Sequence, residues 1–463
     1  MKTTKKLTIV IVTLVIILAG LTVFALKLNQ PDDPSLQDSH PTQGSTNAPT
    51  QAPTQKPTDA PTEAPTEAPT EPPIVLESTA TLGATGDVLM HDLVIQSGYN
   101  AETGTYNYDE IFRFFKNYVS SVDYAVANLE VTLCGSDNGY KYQGYPCFNS
   151  PDAIVDALQN CGFDMLLTAN NHSYDTRHVG LMRTQNILLE KGMNYIGTRL
   201  DAEAPNYSVV DVNGIRIGMI NYTYNTQQDE DGTIHLNGIP LTNADSQLVN
   251  SFNNWQLDKF YARLETQIQG MNDQGADVIV MFIHWGDEYK TVHNDRQDQI
   301  AQDLCNMGID VIVGNHAHVP QDAELLTSET DKNHKTVCLY STGNSISNIY
   351  RGSHPINTED GMLFNITFAK YSDGTVVVQE TSILPTWVYR SYDENWTRKF
   401  LIMTLDKSIT DWQAAMDLTE EQLKECLDSY DRTMGIVSPG MEEINTWLKE
   451  HQTAVEKELG VQK

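Results

Sequence analysis

Five clusters of carboxylate, amide and imidazole residues stand where apolar runs stop. They are Gly86-Asp87-Val88-Leu89-Met90-His91, Asn128-Leu129-Glu130, Ala169-Asn170-Asn171-His172-Ser173-Tyr174-Asp175, His284-Trp285-Gly286-Asp287-Glu288-Tyr289 and Gly314-Asn315-His316-Ala317-His318. Taken singly, each has a structural explanation. Asp87 and Glu130 suit turns or caps, Asn170 and Asn171 are common turn formers, His172 can pair with Asp175, and His284 can pack beside Trp285. Taken together they are hard to explain as core, because buried polar groups cost free energy unless they are paired. Ligands of open α/β sheets bind outside the carboxyl ends of the strands, and that is where these groups fall. Carboxylate and amide oxygens combined with imidazole nitrogen suit Mn²⁺, Zn²⁺ or Fe better than Ca²⁺. One such ion, or two at roughly 3.5–4 Å, could activate a water and clamp a phosphoryl oxygen. His316 and His318 are two residues apart, so an extended backbone would aim both at one side. No GxSxG elbow, Walker lysine loop or GxGxxG fingerprint offers a rival chemistry.

The elements that must position these groups alternate. Apolar strand candidates fall at 80–86, 123–129, 164–169, 277–283 and 310–313, with helical patterns at 109–119, 151–161, 178–191, 256–273 and 295–307. Gly162 and Gly308 stand at helix ends. This alternation predicts an α/β sheet with a parallel centre. Asn213-Gly214 and Asp373-Gly374 are hairpin signals, joining 207–212 to 215–222 and 362–369 to 375–383. The sheets are therefore expected to be mixed, in a layered sandwich over 77–398. Beyond it, helices at 408–430 and 440–459, broken at Pro439-Gly440, read as a helical C-terminal appendage over 399–463.

The chain has 463 residues and a formal net charge of −31, which argues against binding nucleic acid. Its six cysteines are too sparse for a disulfide scaffold, and no CxxC pair suggests a thiolate zinc site. Cys134 and Cys147 flank a Gly/Asn/Tyr-rich loop, and export would permit a disulfide between them. Residues 7–26 carry no charge and follow Lys2, Lys5 and Lys6. As a helix they span roughly 30 Å, the thickness of a bilayer's hydrocarbon core. The lysines keep the short N-terminus cytoplasmic and put the rest outside. An uncleaved anchor within residues 1–27 fits better than a signal peptide cut after Ala25, because the apolar run exceeds the usual h-region. Residues 28–76 repeat APT units and are expected to form a disordered stalk.

The five clusters, in this order, resemble the GDVM-type, NLE, NNHxxD, HWGxEY and GxHxH motifs of the CapA family of capsule and poly-γ-glutamate biosynthesis proteins. Ser341-Thr342-Gly343-Asn344 resembles that family's glycine-asparagine turn. The resemblance runs over roughly residues 79–390 and is specific as an ordered set. It implies kinship with calcineurin-like metallophosphatases: a four-layer αββα sandwich around one or two divalent ions, Mn²⁺ foremost. On that basis Asp87, Glu130, Asn171, His284, His316 and His318 resemble metal ligands. His172 resembles the general acid, oriented by Asp175. Metallophosphatases usually carry Asp-x-His in the first motif, whereas position 89 here is Leu, and the second carboxylate is Glu130. The resemblance further implies a single-pass membrane protein at the bacterial surface, its main domain extracytoplasmic. Its partners would be the bilayer and an anionic polymer or that polymer's synthase complex. A non-catalytic scaffold that kept the fold, and a surface phosphoesterase unrelated to capsule, are the competing expectations.

Overall fold

The valine- and isoleucine-rich runs become parallel strands buried on both faces, which is why they read as continuous rather than alternating apolar segments. In a computed structural model, residues 73–461 are described apart from 138, 351, 353, 355, 395 and 407–417. The expected anchor, nearly all of the expected stalk and residues 408–417 lie outside the described residues. Among the described residues, no helix is long and apolar enough to cross a membrane.

The first sheet is built on β1 (Leu76–Val88), β2 (Tyr124–Leu129), β3 (Met165–Leu167) and β4 (Asn194–Ile196), all parallel in that order. The second is built on β5 (Ser208–Val212), β6 (Ile215–Tyr224), β7 (Ser251–Phe252), β8 (Val278–His284), β9 (Val311–Asn315), β10 (Ala323–Thr327) and β11 (Lys335–Leu339). In this sheet β6, β8, β9 and β11 run parallel, and β10 returns antiparallel. Strand β12 (Asn344–Ile346) then pairs with the end of β1, placing Asn344 opposite Asp87. Strands β13 (Asp360–Tyr371), β14 (Val376–Tyr392) and β15 (Arg398–Thr404) extend the first sheet antiparallel. Both sheets are thus mixed. The hairpin at Asn213-Gly214 forms between β5 and β6, with both turn residues at positive φ. The one at Asp373-Gly374 joins β13 to β14.

The result is an α/β sandwich. Leu82, Ala84, Val126 and Leu167 of the first sheet meet Ile217, Met219, Val280 and Val313 of the second in one shared core. On the far side of the first sheet lie α1 (Asp92–Ser97), α2 (Lys116–Val119) and α3 (Ala153–Cys161). Helices α5 (Leu257–Asp273) and α6 (Asp295–Asn306) cover the far side of the second, and α4 (Arg177–Glu190) leads from β3 to β4.

Three expectations need correction. The helix at 109–119 is broken into a 3₁₀ turn, Asp109–Phe112, and the short α2. Cys134 and Cys147 are free thiols; the Cys134 side chain lies beside Thr176 and Gly180 of the α4 start. The C-terminal region is no appendage. Residues 398–404 form a strand of the first sheet, and one 40-residue helix, α7 (Glu420–Leu459), runs straight through Pro439. Proline removes one helical hydrogen bond and crowds the carbonyl four residues back. Here that residue is Gly435, and Val437, Met441, Ile444 and Leu448 are buried in the shared core on both sides of the proline. Gly440 lies so close to β10 that an added Cβ would sit 1.8 Å from the Ala323 carbonyl oxygen.

Candidate metal centre

Because β1, β2, β3, β8 and β9 are parallel within their sheets, their carboxyl ends converge on one edge of the sandwich. Asp87 is the penultimate residue of β1, Glu130 follows β2, Asn171 and His172 follow β3, His284 ends β8, and His316 and His318 follow β9. All are buried. Asn171 Oδ1, His316 Nδ1 and Glu130 Oε1 lie 2.7, 3.1 and 3.3 Å from His284 Nε2. His318 Nδ1 is 3.1 Å from both Asp87 Oδ2 and Asn344 Oδ1. Two sets of three ligand atoms, from Asp87, Glu130 and His284 and from Glu130, His316 and His318, each fall within 4.8 Å of one another. Glu130 belongs to both sets, and neither of its carboxylate oxygens has a hydrogen-bond partner among the described residues. A buried carboxylate without donors suits a cation, and the oxygen and imidazole donors around it fit Mn²⁺, Zn²⁺ or Fe.

The backbone that delivers the two histidines is not extended, contrary to the expectation from their spacing. His316 and His318 adopt φ of 95° and 56°, and Tyr289 opposite them 66°. Left-handed conformations cost non-glycine residues about 1–3 kcal/mol each. They persist because the loop is tied down: His316 N–H donates to Asp87 Oδ2 (3.3 Å) and Tyr289 N–H to the Ala317 carbonyl (2.7 Å).

Electrostatics divide the ligands. Burial pushes Glu130 well above the usual carboxylate range, and the charge of Asp87 adds to the effect. Burial acts on Asp87 too, but His318, His284 and the Asn128 amide outweigh it and hold that carboxyl below its ordinary value. Burial lowers His284 to about 4 and, with its histidine neighbours, takes His316 well below the ordinary value. Both are therefore neutral imidazoles, the form that binds metal. Burial opposes charge on His318 as well, yet Glu130 and Asp87 raise it to about 9. A cation entering here would displace a proton.

Beside the ligands is a cavity of about 460 Å³ whose walls include Leu89, His91, Phe148, His172, Glu288 and Tyr289. His172 Nδ1 is 2.7 Å from Asp175 Oδ2, and the pair raises the imidazole against the effect of burial. The His172 side chain itself lines the cavity. Leu89 takes the position where a first-motif histidine would stand, and it lines the cavity. His91 does not replace that histidine. Its Nδ1 accepts from Asn348 N–H (3.2 Å), and its ring packs on Phe148. Trp285 is core, donating to the Tyr340 carbonyl (3.0 Å). Among the histidines outside the five motifs, His178, His293 and His334 stay away from the site, but His354 packs at a tilt against Tyr289 in the cavity wall. Motif reasoning passes over Asn128 in favour of Glu130. The Asn128 amide donates to Asp87 (2.7 Å), lies 3.3 Å from His284 Nδ1 and accepts from Asn170 (3.2 Å). Asn170 is thus scaffold, and Asn171 is the one of the pair that meets His284.

Comparison with known proteins bears on this edge directly. Residues 81–349 match the family described as "Bacterial capsule synthesis protein PGA_cap". The chain belongs to this family. The match takes in every residue of the two ligand sets, together with His172, Asp175 and Asn344, and stops before β13. Among curated capsule proteins, the chain is 26% identical over 269 residues to "Capsule biosynthesis protein CapA" of Bacillus anthracis, covering 58% of this chain and 59% of that protein. It is 25% identical over 240 residues to "PGA biosynthesis protein CapA" of Bacillus subtilis (strain 168), covering 51% and 57%. The match thus spans less than two thirds of either relative. A crystal structure of the protein TT1561 of Thermus thermophilus is 9% identical with a TM-score of 0.33, over 62% of this chain and 94% of that one; a likeness of that size carries no argument.

Proposed function

We propose that this capsule-family chain carries a divalent-metal hydrolase-type centre that acts during biosynthesis or export of an anionic capsule or poly-γ-glutamate polymer. The observation that carries the reading is Glu130, a buried carboxylate with no donor among the described residues, shared by two candidate ligand sets beside a cavity. Asp87, Glu130, Asn171, His284, His316 and His318 would hold one or two ions, Mn²⁺ foremost, with Zn²⁺ or Fe as alternatives. When bound, such an ion supplies Lewis-acid polarisation of a substrate oxygen and activation of water. The chain's own residues do the rest. Asp175 fixes the His172 ring, whose Nε2 would give a proton to the leaving oxygen. Leu89, Phe148 and Ile349 keep bulk water from the cavity. The four-layer αββα arrangement of metallophosphatases is part of the same reading, supported by helices packed on the outer face of each sheet. So is a location at the outer face of the membrane, with residues 7–26 as single-pass anchor and the polymer or its synthase complex as partner; the support is the uncharged run itself.

The test is elemental analysis of the purified full-length chain beside phosphodiester hydrolysis with added Mn²⁺. Bound transition metal with turnover that is lost in Asp87→Asn and in His172→Ala is the expected result. Leu89 in the first motif favours a second reading, a scaffold that kept the fold and lost turnover. Folded protein with neither metal nor turnover, and polymer production unchanged by either substitution, would leave that reading standing and end the hydrolase proposal.

A further inference from the structure

We infer that Asn237 is a positioning residue for the His172–Asp175 pair, supplied by a segment that none of the five motifs contains. The inference rests on the reading of His172 as proton donor. Between β6 and β7 the chain folds into a small antiparallel sheet, Gln227–Gln228, Ile234–Leu236 and Ile239–Pro240. Asn237 and Gly238 form its two-residue tip, at φ of 47° and 68°. Asparagine tolerates this conformation better than most side chains, so the tip needs no other reason to exist. Both hydrogens of its amide are nevertheless engaged. Asn237 Nδ2 donates to Asp175 Oδ1 (2.8 Å) and to the Pro146 carbonyl (2.7 Å). Those two bonds use both hydrogens, so its approach to His172 Nδ1 at 3.3 Å is a contact and not a third bond.

Asp175 is therefore gripped from three sides. Its Oδ2 accepts from Phe148 N–H (2.6 Å) and faces His172 Nδ1 (2.7 Å), and its Oδ1 accepts from Asn237. Without Asn237 the carboxylate loses the donor that holds Oδ1, and the Pro146–Phe148 segment loses its tie to the pair. Phe148 packs edge-on against His172, with ring centroids 4.7 Å apart, so both contacts that aim the imidazole loosen together. The tip itself is braced. Gly238 N–H donates to Thr226 Oγ1 (3.0 Å), His235 lies 2.8 Å from Asp229 and 3.2 Å from the Gly238 carbonyl, and Leu236 is buried among Tyr174, Leu181 and Leu241. The small sheet is built to hold one amide in place.

The experiment uses the solubilised full-length chain with Asn237→Gly, which keeps the turn and removes the amide, and Asn237→Asp, which keeps the shape and removes the donors. Asn213→Gly, at the remote β5–β6 turn, controls for turn glycine. The first readout needs neither metal nor substrate: the low-field Nδ1–H proton signal of ¹⁵N-labelled His172, identified by its loss in His172→Ala. It is expected in the natural chain and in Asn213→Gly, and absent in both Asn237 variants. The second is phosphodiester hydrolysis with Mn²⁺, where kcat is expected to fall roughly ten- to a hundredfold with KM held within about twofold and metal content unchanged. A signal that survives in both Asn237 variants, or that never appears in the natural chain, overturns the inference. If the natural chain shows no turnover, the hydrolase reading fails by itself, and the proton signal still decides the role of Asn237.

Discussion

Both oxygens of Glu130 are buried without a donor among the described residues, and Asp87 is a second carboxylate in the same candidate ligand set. Glu130's folded pKa lies well above its ordinary value of 4.5, so the folded state holds this proton to higher pH than the unfolded state does. Stability therefore falls as pH rises above about 4.5, because the unfolded chain then binds fewer protons. His318, raised from 6.5 to about 9, adds a slope of the same sign, since its contribution is full below 6.5 and is lost as pH rises through about 9. Glu130→Gln removes the first effect and weakens the second, because Glu130 is the largest of the influences that raise His318 against its burial. The metal-free variant should accordingly show a flatter dependence of thermal midpoint on pH than the natural chain. Mn²⁺ should raise the midpoint of the natural chain alone, by binding the folded state; calorimetry with and without Mn²⁺ measures both. Asn128 makes a second residue-scale prediction. It touches Asp87 and His284 without being a ligand, and loss of such outer partners typically costs about 10–100-fold in metal affinity. Asn128→Ala should weaken Mn²⁺ binding by about that factor in a titration, with the fold retained. The candidate ligands stand out in the sequence because each lies at or just past the end of an apolar run. Asn128, Asn344, Asn237 and His354 are not, because their partners come from other strands: Asn128 meets His284 across 156 residues, and Asn344 meets His318 across 26.

At the scale of elements, the parallel strands and the helices between them are readable for the same reason that they form. Apolar runs buried on both faces end in polar groups, and helices such as α3 stop at a left-handed glycine, Gly162. The segment 109–119 reads as one helix because Ile111, Phe112, Phe115 and Val119 have helical spacing, yet their burial is served by two short turns. The start of α6 shows what periodicity could not display. Asn294 caps the helix with a capping box, and the preceding His293 lies 3.0 Å from Asp322 at the head of β10 while stacking on Tyr340 at 3.8 Å. The bond to Asp322 raises His293, with Glu324 and Asp298 adding to it, against partial burial. Burial works against charge on Asp322, but His293 holds it below its ordinary value. The histidine's contribution is full below its ordinary value of 6.5 and is lost as pH rises through the raised value. The carboxylate's is full above 3.8 and is lost as pH falls through the lowered value. The pair thus supports the fold most between the two ordinary values, 3.8 and 6.5. His293→Gln should lower the urea midpoint more at about pH 5.5 than at about pH 8.5. An equal loss at both would assign the position to the Tyr340 stack alone.

The whole molecule closes at its C-terminus. The family match ends at residue 349, but the first sheet does not: β13 pairs with β1 along Leu76–Thr85, and β14 and β15 follow. Helix α7 then spans β14 and β10, which belong to different sheets, and inserts four apolar side chains between them. Its polar surface makes it read as an appendage, since a helix that meets the core along one stripe is mostly charged elsewhere. Its anchor is specific: Arg432 donates two bonds to Asp360 (2.8 and 2.7 Å) and Ser429 a third (2.6 Å), at the start of β13. The adjacent Glu359 holds Arg390, and the Thr358 carbonyl accepts from Asn344 beside His318, so the helix docks two residues from an outer contact of the candidate site. Breaking a buried pair from one side typically costs about 3–5 kcal/mol, and truncating a buried isoleucine about 2–5 kcal/mol. Arg432→Met and Ile444→Ala should each lower stability by such amounts in urea unfolding, and both should weaken Mn²⁺ binding although neither touches a ligand. Ile444→Val, which leaves most of the packing in place, should cost only about 0.5–1.5 kcal/mol. A chain ending at Leu418 should lose cooperative unfolding, because it leaves Met362, Phe364 and the inner face of β10 without their cover. Cooperative unfolding with an unchanged midpoint in that shortened chain would mean the two sheets close without α7, and the helix would then be free to serve a partner.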